Sequence, residues 1–486
     1  MKKRQYKDNK IKRSQYESNL QKKKDSEREI RTDLKGVLVR IYPVGEQITF
    51  IKKAGGCRRL IYNVCNAFKL ENKADKEEEY RFELEMDFEF RGKKATKKQK
   101  NKIVHDGVGI SDFGEILTKM KKSGNYDFLY EINRNILSQS YMDLSQAWSN
   151  FYKNPWHFDV PTFKKKNNHC DSFRVPIRAI PGGQSSEGLK CIHGNRIDIC
   201  TELKDIHFKC SRRDEKFLNK NQSKIKSITV SEHPDGNFYA SVLICDDETW
   251  EEISANENIF SFDLGIKEYL IGKQSKLEKD ENGFIKTKDD SESKYVHIEN
   301  PKIRRNNEKK KIHAQRDLAR SEKGSNRYEK KRKRLAKIQR KDRNRMIDFQ
   351  HKLSTDIVNE NQVICSEDLN VIGMQSNHNL AKAIQDVAWR RFMTMIEYKA
   401  RKRGRIVERS DTFFPSSKTC NGCGYHYGGL KLSERSWICP HCGKLVMRDE
   451  NAADNLESNG VKIHNEKVRE KLLSEQNNFE ETQPKG

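Results

Sequence analysis

PSSKTCNGCGYHYGGLKLSERSWICPHCGKLVMRDENAADNL, residues 415–456, sets two Cys-x-x-Cys pairs directly ahead of an acidic segment. Fifteen residues separate Cys420 and Cys423 from Cys439 and Cys442, and Gly422, Gly424 and Gly443 supply the turns of two knuckles. This spacing suits tetrahedral thiolate coordination of Zn2+. Two disulfides would use the same four residues. The chain opens MKKRQYKDNKIKRSQ with no apolar segment behind it, which is not a secretory signal, so a reducing compartment is expected and the thiols stay available to metal.

Outward from this stretch, two earlier apolar segments also end in carboxylates. IFSFDLGIKEYLIG closes a strand at Asp263, ahead of Gly265, and QVICSEDLNVIGM closes another at Glu367. Asp449 stands where the ribbon hands over to the helix NAADNL. Taken singly, these are a turn residue, a polar strand end and a helix-capping acid. Taken together, three acids on separate elements are what a pair of divalent metals about 4 Å apart requires for phosphodiester hydrolysis. Asp368 should face away from Glu367 by strand alternation, and Asp454, about one and a half turns past Asp449, should project elsewhere.

Composition narrows the partner. Lys and Arg number 96 against 71 Asp and Glu, leaving +25, and the positive residues are bunched, which points to a polyanion whose condensed counterions are released on binding. No apolar run approaches the roughly 20 residues of a spanning helix, so membrane attachment is not expected. Hydrophobic content is only 34%, equal to the charged content, which predicts modest cores under solvent-rich surfaces. A chain of 486 residues suffices for about three domains.

Along the chain, residues 1–33 have no apolar period and read as a flexible basic arm. Val37, Val39 and Ile41 alternate as a strand, and from Gln47 the spacing turns helical, with Gly55 and Gly56 as an interruption and Arg58 and Arg59 near the exposed side. Phe82, Leu84, Met86, Phe88 and Phe90 alternate like a strand inside a heavily charged segment, whose acidic and basic halves would also suit a solvated helical insertion. A helix is expected over Tyr126 to Tyr152. Phe158 to Asp246 reads as β, packed as a small barrel or sandwich, with the strands KSITVSE and NFYASVLIC around the turn at residues 233–236. Lys164, Lys165 and Lys166 follow an aromatic and suit phosphate contact. Residues 273–300 read as an irregular insertion. Residues 302–345, the most basic region, break at Gly324-Ser325-Asn326 into two helices that would grip a nucleic-acid backbone, with Lys309, Lys310, Lys331, Arg332, Lys333 and Arg334 as contacts. Residues 379–404 form one helix, and the tail carries a short helix over 461–473. His169, Cys170, Cys191, His193, Cys200, His207 and Cys210 lack paired spacing and are expected in the core.

FDLG, EDLNVIGM, SSKTCNGCG with CPHCG, and RDENAADN together resemble the three RuvC motifs and zinc ribbon of the transposon-encoded TnpB nucleases and their descendants, the compact, miniature V-F-like type V CRISPR effectors. The likeness extends through RIYPVGEQ, GGCRRLIYN, VPTFKKK, the run from Gly324 to Ser354, and FPSSKTC, covering most of residues 36–456. It implies a multidomain α/β protein: an RNase H-like RuvC nuclease domain with an inserted zinc ribbon, and an N-terminal β-barrel wedge domain carrying a helical recognition lobe. The implied divisions are the arm at 1–33, the start of the wedge and its first helix at 34–68, the lobe with its charged insertion at 69–157, and the wedge barrel at 158–246. A linker at 247–258 leads to the RuvC-like domain at 259–411, including basic helices at 302–350. The ribbon at 412–447, the last RuvC motif at 448–460 and a charged tail at 461–486 complete the chain.

Carried over residue by residue, the resemblance makes Asp263, Glu367 and Asp449 the catalytic triad on Mg2+ (or Mn2+). Cys420, Cys423, Cys439 and Cys442 become the Zn2+ ligands of a ribbon that handles target DNA, with Lys418 beside it. A guide RNA would pair with one strand of a double-stranded DNA target next to a short flanking motif, so that base pairing carries the specificity. The implied setting is a bacterial or archaeal cytoplasm, on the nucleoid when engaged, with a homodimer as one possible assembly. A guide-bound repressor and an unguided resolvase or transposase-associated nuclease are the rival readings.

Overall fold

The computed structural model describes residues 34–91, 104–105, 107–155, 158–166, 171–176, 191–245, 256–288, 293–369, 374, 378–431 and 434–481. The basic arm, part of the charged insertion, the turn at residues 181–183, most of the linker, and His169 and Cys170 lie outside the described residues. The chain divides into two compact units, Met1–Glu248 and Thr249–Gly486.

In the first unit, strand β1 (Leu34–Tyr42) buries Val37, Val39 and Ile41 on one face, as the period of two requires. It lies near the middle of an antiparallel sheet with β2 (Ser172–Pro176), β3 (Ile192–His193), β4 (Arg196–Ile197), β5 (Ile206–Lys209), β6 (Ile225–Glu232) and β7 (Phe238–Cys245), in the order β2-β6-β7-β1-β5-β4-β3. The β6–β7 hairpin is where the sequence puts it. One segment expected to be β is instead helix α4 (Arg212–Lys220), because the Ser211 hydroxyl accepts the Asp214 N–H at 3.1 Å and caps it.

Helix α1 (Glu46–Arg91) corrects two expectations at once. It runs through Gly55 and Gly56, and it continues through the Phe82–Phe90 alternation, which is not a strand. Gly55 marks close packing rather than a break, since a Cβ there would lie 2.7 Å from Cβ of Asp171. Once the buried stripe of Ile51, Ala54, Ile61 and Cys65 has nucleated the helix, each further residue adds one hydrogen bond for two dihedrals fixed. Helices α2 (Ile110–Lys122) and α3 (Arg134–Lys153) complete the unit. The expected 126–152 helix begins only at α3, after a 3₁₀ turn over Asp127–Glu131, because the Asn133 side chain caps it there.

In the second unit, β8 (Asn258–Leu264), β9 (Glu268–Lys279), β10 (Ile285–Thr287), β11 (Lys294–Glu299), β12 (Val363–Glu367) and β13 (Ile406–Ser410) form a mixed sheet ordered β10-β9-β8-β12-β13, with β11 also on β9. Strands β8, β12 and β13 are parallel, and the β8–β9 pair is antiparallel. Residues 273–300, read as irregular, therefore supply sheet: they gain their structure from β9 reaching across to β8. The basic region forms α5 (Ile303–Asn306), α6 (Glu308–Ala319) and α7 (Asn326–Glu360), with the expected turn at Gly324, whose φ is +90°.

The helix expected over residues 379–404 is two, α8 (His378–Val387) and α9 (Trp389–Lys402), broken at Ala388 with φ +50°. A buried glutamine accounts for the break. Gln350 Nε2 donates to the carbonyls of Val387 (3.0 Å) and Ala388 (3.1 Å) and to the Tyr269 hydroxyl (2.8 Å), while its Oε1 accepts from Arg391 Nε at 2.8 Å. Carbonyls freed by the break thus find partners in the core.

The last helix, α10 (Arg448–Glu481), is continuous where a short tail helix was expected. Ala452, Leu456, Gly460 and His464 recur every four residues along its buried stripe. A Cβ on Gly460 would lie 2.8 Å from Cβ of Cys365 and closer still to its Sγ, so the helix rests directly on β12. Gly460→Ala is expected to lower stability by roughly 1–3 kcal/mol through overpacking, even though alanine is the better helix former. Cys365→Ala in the same chain should recover part of that loss. Urea unfolding midpoints test this, and an unchanged midpoint for the single variant would exclude the close approach.

Candidate metal and nuclease centre

Alternation along the parallel strands decides where the acids point. Phe260, Phe262 and Leu264 of β8 and Ile364 of β12 pack in one cluster with Phe392 and Ile396 of α9. The intervening Ile259 and Cys365 belong to the opposite cluster, beneath α10. Asp263 and Glu367 share the parity of this second set, so both carboxylates face α10 at the C-terminal ends of neighbouring strands, and α10 begins Arg448-Asp449. Asp368 takes the other side, where Arg409 Nη1 donates to it at 3.1 Å.

Asp263 feels both of the other acids. Burial first, then the charges of Glu367 and Asp449, push the Asp263 carboxyl up to about 7, against the Leu264 N–H and Arg448, which favour its ionised form. Burial also raises Glu367, opposed by the Ser416 hydroxyl, which donates to its Oε1 at 3.2 Å. Asp449 is held from another direction, with Arg435 Nη1 2.9 Å from Oδ2 and Arg448 Nε 3.8 Å from Oδ1. Among the described residues, the three carboxylates are not drawn within 4.8 Å of one another, whereas the four thiols are. Asp263 and Glu367, both pushed toward the neutral form, are natural ligands for a cation, which would favour their ionised forms.

Asp454 turns away from this group, as expected. It joins the buried Lys273 at 3.2 Å and accepts from the Tyr295 hydroxyl at 2.9 Å. Glu457 lies 3.4 Å from the same ammonium and accepts from Ser275 Oγ at 2.7 Å. These contacts pin α10 to β9.

The thiol centre is built from two similar turns. Gly424 N–H donates to the Cys420 carbonyl at 2.8 Å, Gly443 N–H donates to that of Cys439 at 2.9 Å, and both glycines have positive φ. Strands β14 (Ser436–Ile438) and β15 (Leu445–Met447) form the supporting hairpin, with Trp437 and Val446 in a small core and Trp437 stacked on Tyr427. The Sγ atoms of Cys420 and Cys442 are 3.8 Å apart, and those of Cys423 and Cys439 are 3.6 Å apart. A tetrahedron with Zn–S bonds of about 2.3 Å has edges of about 3.8 Å, so the donor set fits Zn2+. It does not fit disulfides, whose sulfurs lie about 2 Å apart.

Four residues that carry the site's geometry had not been singled out in the sequence. Asn451 and Asn455, one turn apart on α10, each donate from Nδ2 to the carbonyls of both Ser416 and Thr419, at 2.7–3.3 Å. Asn451 Oδ1 accepts the Asn421 N–H at 2.9 Å. The loop entering the first knuckle is thereby fastened to the helix that starts with Asp449, and its Ser416 reaches Glu367. The i, i+4 spacing of the asparagines in RDENAADN was the available signal. Arg435, the partner of Asp449, gave none.

The basic residues divide by environment. Arg58 and Arg59 are not on an exposed side: Arg58 Nη2 pairs with Asp143 at 2.6 Å, and Arg59 pairs with Asp171. Lys164 lies 3.7 Å over the Tyr62 ring, and burial, followed by the nearby Arg58, pushes its ammonium down to about 8. Lys331 donates to the Asp317 carbonyl, and Arg332 pairs with Glu329. Lys165, Lys166, Lys309, Lys310, Lys333 and Arg334 are exposed, and Lys418 is half-buried. Cys191 and Cys200 are core residues as expected, while His193 is exposed beside Asp198.

Three family descriptions match parts of the chain: "Cas12f1-like, TNB domain" over residues 389–456, "Probable transposase" of the IS605 OrfB type over 285–378, and "Helix-turn-helix domain" over 34–68. The last stretch folds here as β1 and the beginning of α1. A Streptomyces pristinaespiralis protein described as "Putative RNA-guided DNA endonuclease" is 29% identical over 422 residues, 87% of this chain and 88% of the relative. The Escherichia coli K12 protein "Putative RNA-guided DNA endonuclease InsQ" is 23% identical over 71% of this chain and 79% of its own. Among solved structures, a Cas12f1–sgRNA–target DNA complex matches 87% of this chain and 98% of its own at 14% identity, with a TM-score of 0.42.

Proposed function

From the kinship of this chain with the TnpB/IS605 transposase-associated proteins, we propose that it is an RNA-guided DNA endonuclease whose nuclease site is Asp263, Glu367 and Asp449. The observation that carries this reading is the convergence of the three acids, from β8, β12 and the start of α10, on one end of one sheet. The strand order supports an RNase H-like RuvC domain, with antiparallel pairing on one side of β8 and parallel pairing on the other. The antiparallel sheet around β1 supports a wedge domain, and α2 and α3 support the helical lobe.

The three carboxylates would hold Mg2+ or Mn2+, which supplies an activated water and neutralises charge at the phosphate. The chain's own residues do the rest. The register of β8 against β12 sets Asp263 beside Glu367, Ser416 orients Glu367, and Arg435 brings a guanidinium to Asp449, where a strand's phosphate would lie. Zn2+ in the four-thiol site would hold the hairpin that carries Arg435. Guide RNA and a double-stranded DNA target are the proposed partners, in keeping with the +25 charge. Among the described residues no helix is long and apolar enough to cross a membrane.

The deciding experiment is expression with the native flanking DNA, sequencing of the RNA that co-purifies, and a cleavage assay on DNA matched to it. A discrete RNA with Mg2+-dependent cutting is the expected result. Cutting by RNA-free protein would replace guidance with an unguided nuclease, and target binding without nicking would make the protein a repressor.

A further inference from the structure

In the first unit, a cavity of about 490 Å³ opens at the C-terminal end of α3. Its size falls within the range of small-ligand sites, roughly 300–1,000 Å³. Trp148 and Lys69, both buried, form its floor. The Lys69 ammonium donates to the Val108 carbonyl at 2.6 Å and sits 5.4 Å from the Trp148 ring and 5.9 Å from that of Tyr152. One wall is the Tyr152–His105 pair, with centroids 4.1 Å apart and planes tilted by 32°. The hydroxyls of Ser145 and Ser149 line the cavity, and the exposed Lys153 stands at its rim.

Aromatic faces, hydroxyls and ammonium groups around a space of this size match a nucleotide. The base finds a π surface and hydrogen-bonding edges, and the phosphate finds a cation. We propose that this cavity seats one unstacked nucleotide of a single-stranded nucleic acid, its base against the His105–Tyr152 pair and its phosphate at Lys153. Stacking accepts any base, so the subsite anchors a strand without reading it. The inference rests on the reading that the chain carries RNA and adds a defined contact far in sequence from the nuclease residues.

The test measures binding of a labelled, unstructured single-stranded RNA to the full chain, stripped of RNA, across a salt series. Tyr152→Ala and the rim variant His105→Ala should each weaken binding, Tyr152→Ala by roughly 10-fold, with the slope of log K against log salt unchanged because stacking releases no counterions. Lys153→Gln should reduce that slope by about 0.7, and Tyr152→Phe should bind like the parent. His105 is exposed, so its variant keeps the test valid if Tyr152→Ala fails to fold. Parent-like affinity for His105→Ala and a folded Tyr152→Ala would overturn the subsite alone. Saturable binding of 5′-AMP that leaves the strand attached would also overturn it, as a site for free nucleotide. No RNA binding by the parent would overturn the guide reading with it.

Discussion

Asp263→Asn is expected to lose at least about a thousandfold in cleavage of guide-matched DNA and, with divalent metal chelated, to melt at a higher temperature than the parent at pH 7.5. Both effects have one origin. The Asp263 carboxyl is pushed up to about 7 by burial and by Glu367 and Asp449. Below about pH 4 both folded and unfolded chains hold its proton, and the residue costs nothing. Between about 4 and 7 the unfolded chain releases its proton first, so the folded state loses ground as pH rises, and above 7 the full cost applies. Roughly 3 units at 1.36 kcal/mol each set a ceiling of about 4 kcal/mol, which solvent at this half-buried position lowers to on the order of 1–2 kcal/mol. Asparagine keeps the shape and removes the charge. Melting temperature against pH in chelator should therefore fall more steeply for the parent between pH 4 and 7. Retained cleavage would remove Asp263 from the nuclease site, and equal slopes would mean that the folded chain does not raise the Asp263 carboxyl.

Cys420→Ser with Cys423→Ser is expected to abolish zinc binding, from about one equivalent per chain by elemental analysis, and to abolish cleavage although no acid has changed. Structural zinc contributes roughly 10–16 kcal/mol to folding in small domains, far more than the few buried side chains around Trp437 supply. Losing it should loosen residues 416–421, and with them the bonds from Asn451 and Asn455 to the Ser416 and Thr419 carbonyls. Ser416 would then release Glu367, and Arg435 would leave Asp449. Zinc-free protein that cuts at the parental rate would show the two centres to be independent, and absence of zinc from carefully reduced parent protein would refute the metal assignment.

The site was legible to the extent that its signals are local. Knuckle spacing lies within one short segment, and the alternation that turns Asp368 away from Glu367 needs only that the segment be a strand, whereas it is the pairing of β8 with β12 that sets Asp263 and Glu367 on one face. Arg435 could not be found this way, because its role depends on the β14–β15 hairpin bringing it back to the residue after Arg448. Nor could the partners of Arg58 and Arg59: Asp143 and Asp171 lie more than 80 residues away, and a charged residue without its partner reads as surface.

By itself the sequence determined the existence of β1, the β6–β7 hairpin, the opposite facing of Glu367 and Asp368, the turn at Gly324 and the zinc-fitting thiols. Each follows from periodicity, turn chemistry or ligand spacing within a few residues. Only the tertiary structure decided the length of α1 and α10, the break at Ala388 and the strand identity of residues within 273–299. Backbone hydrogen bonding is satisfied equally well by helix or strand, so the choice falls to distant surfaces. Cys365 beneath Gly460 keeps α10 running along the sheet, Gln350 accepts a broken helix at Ala388, and β8 offers β9 an edge to pair with.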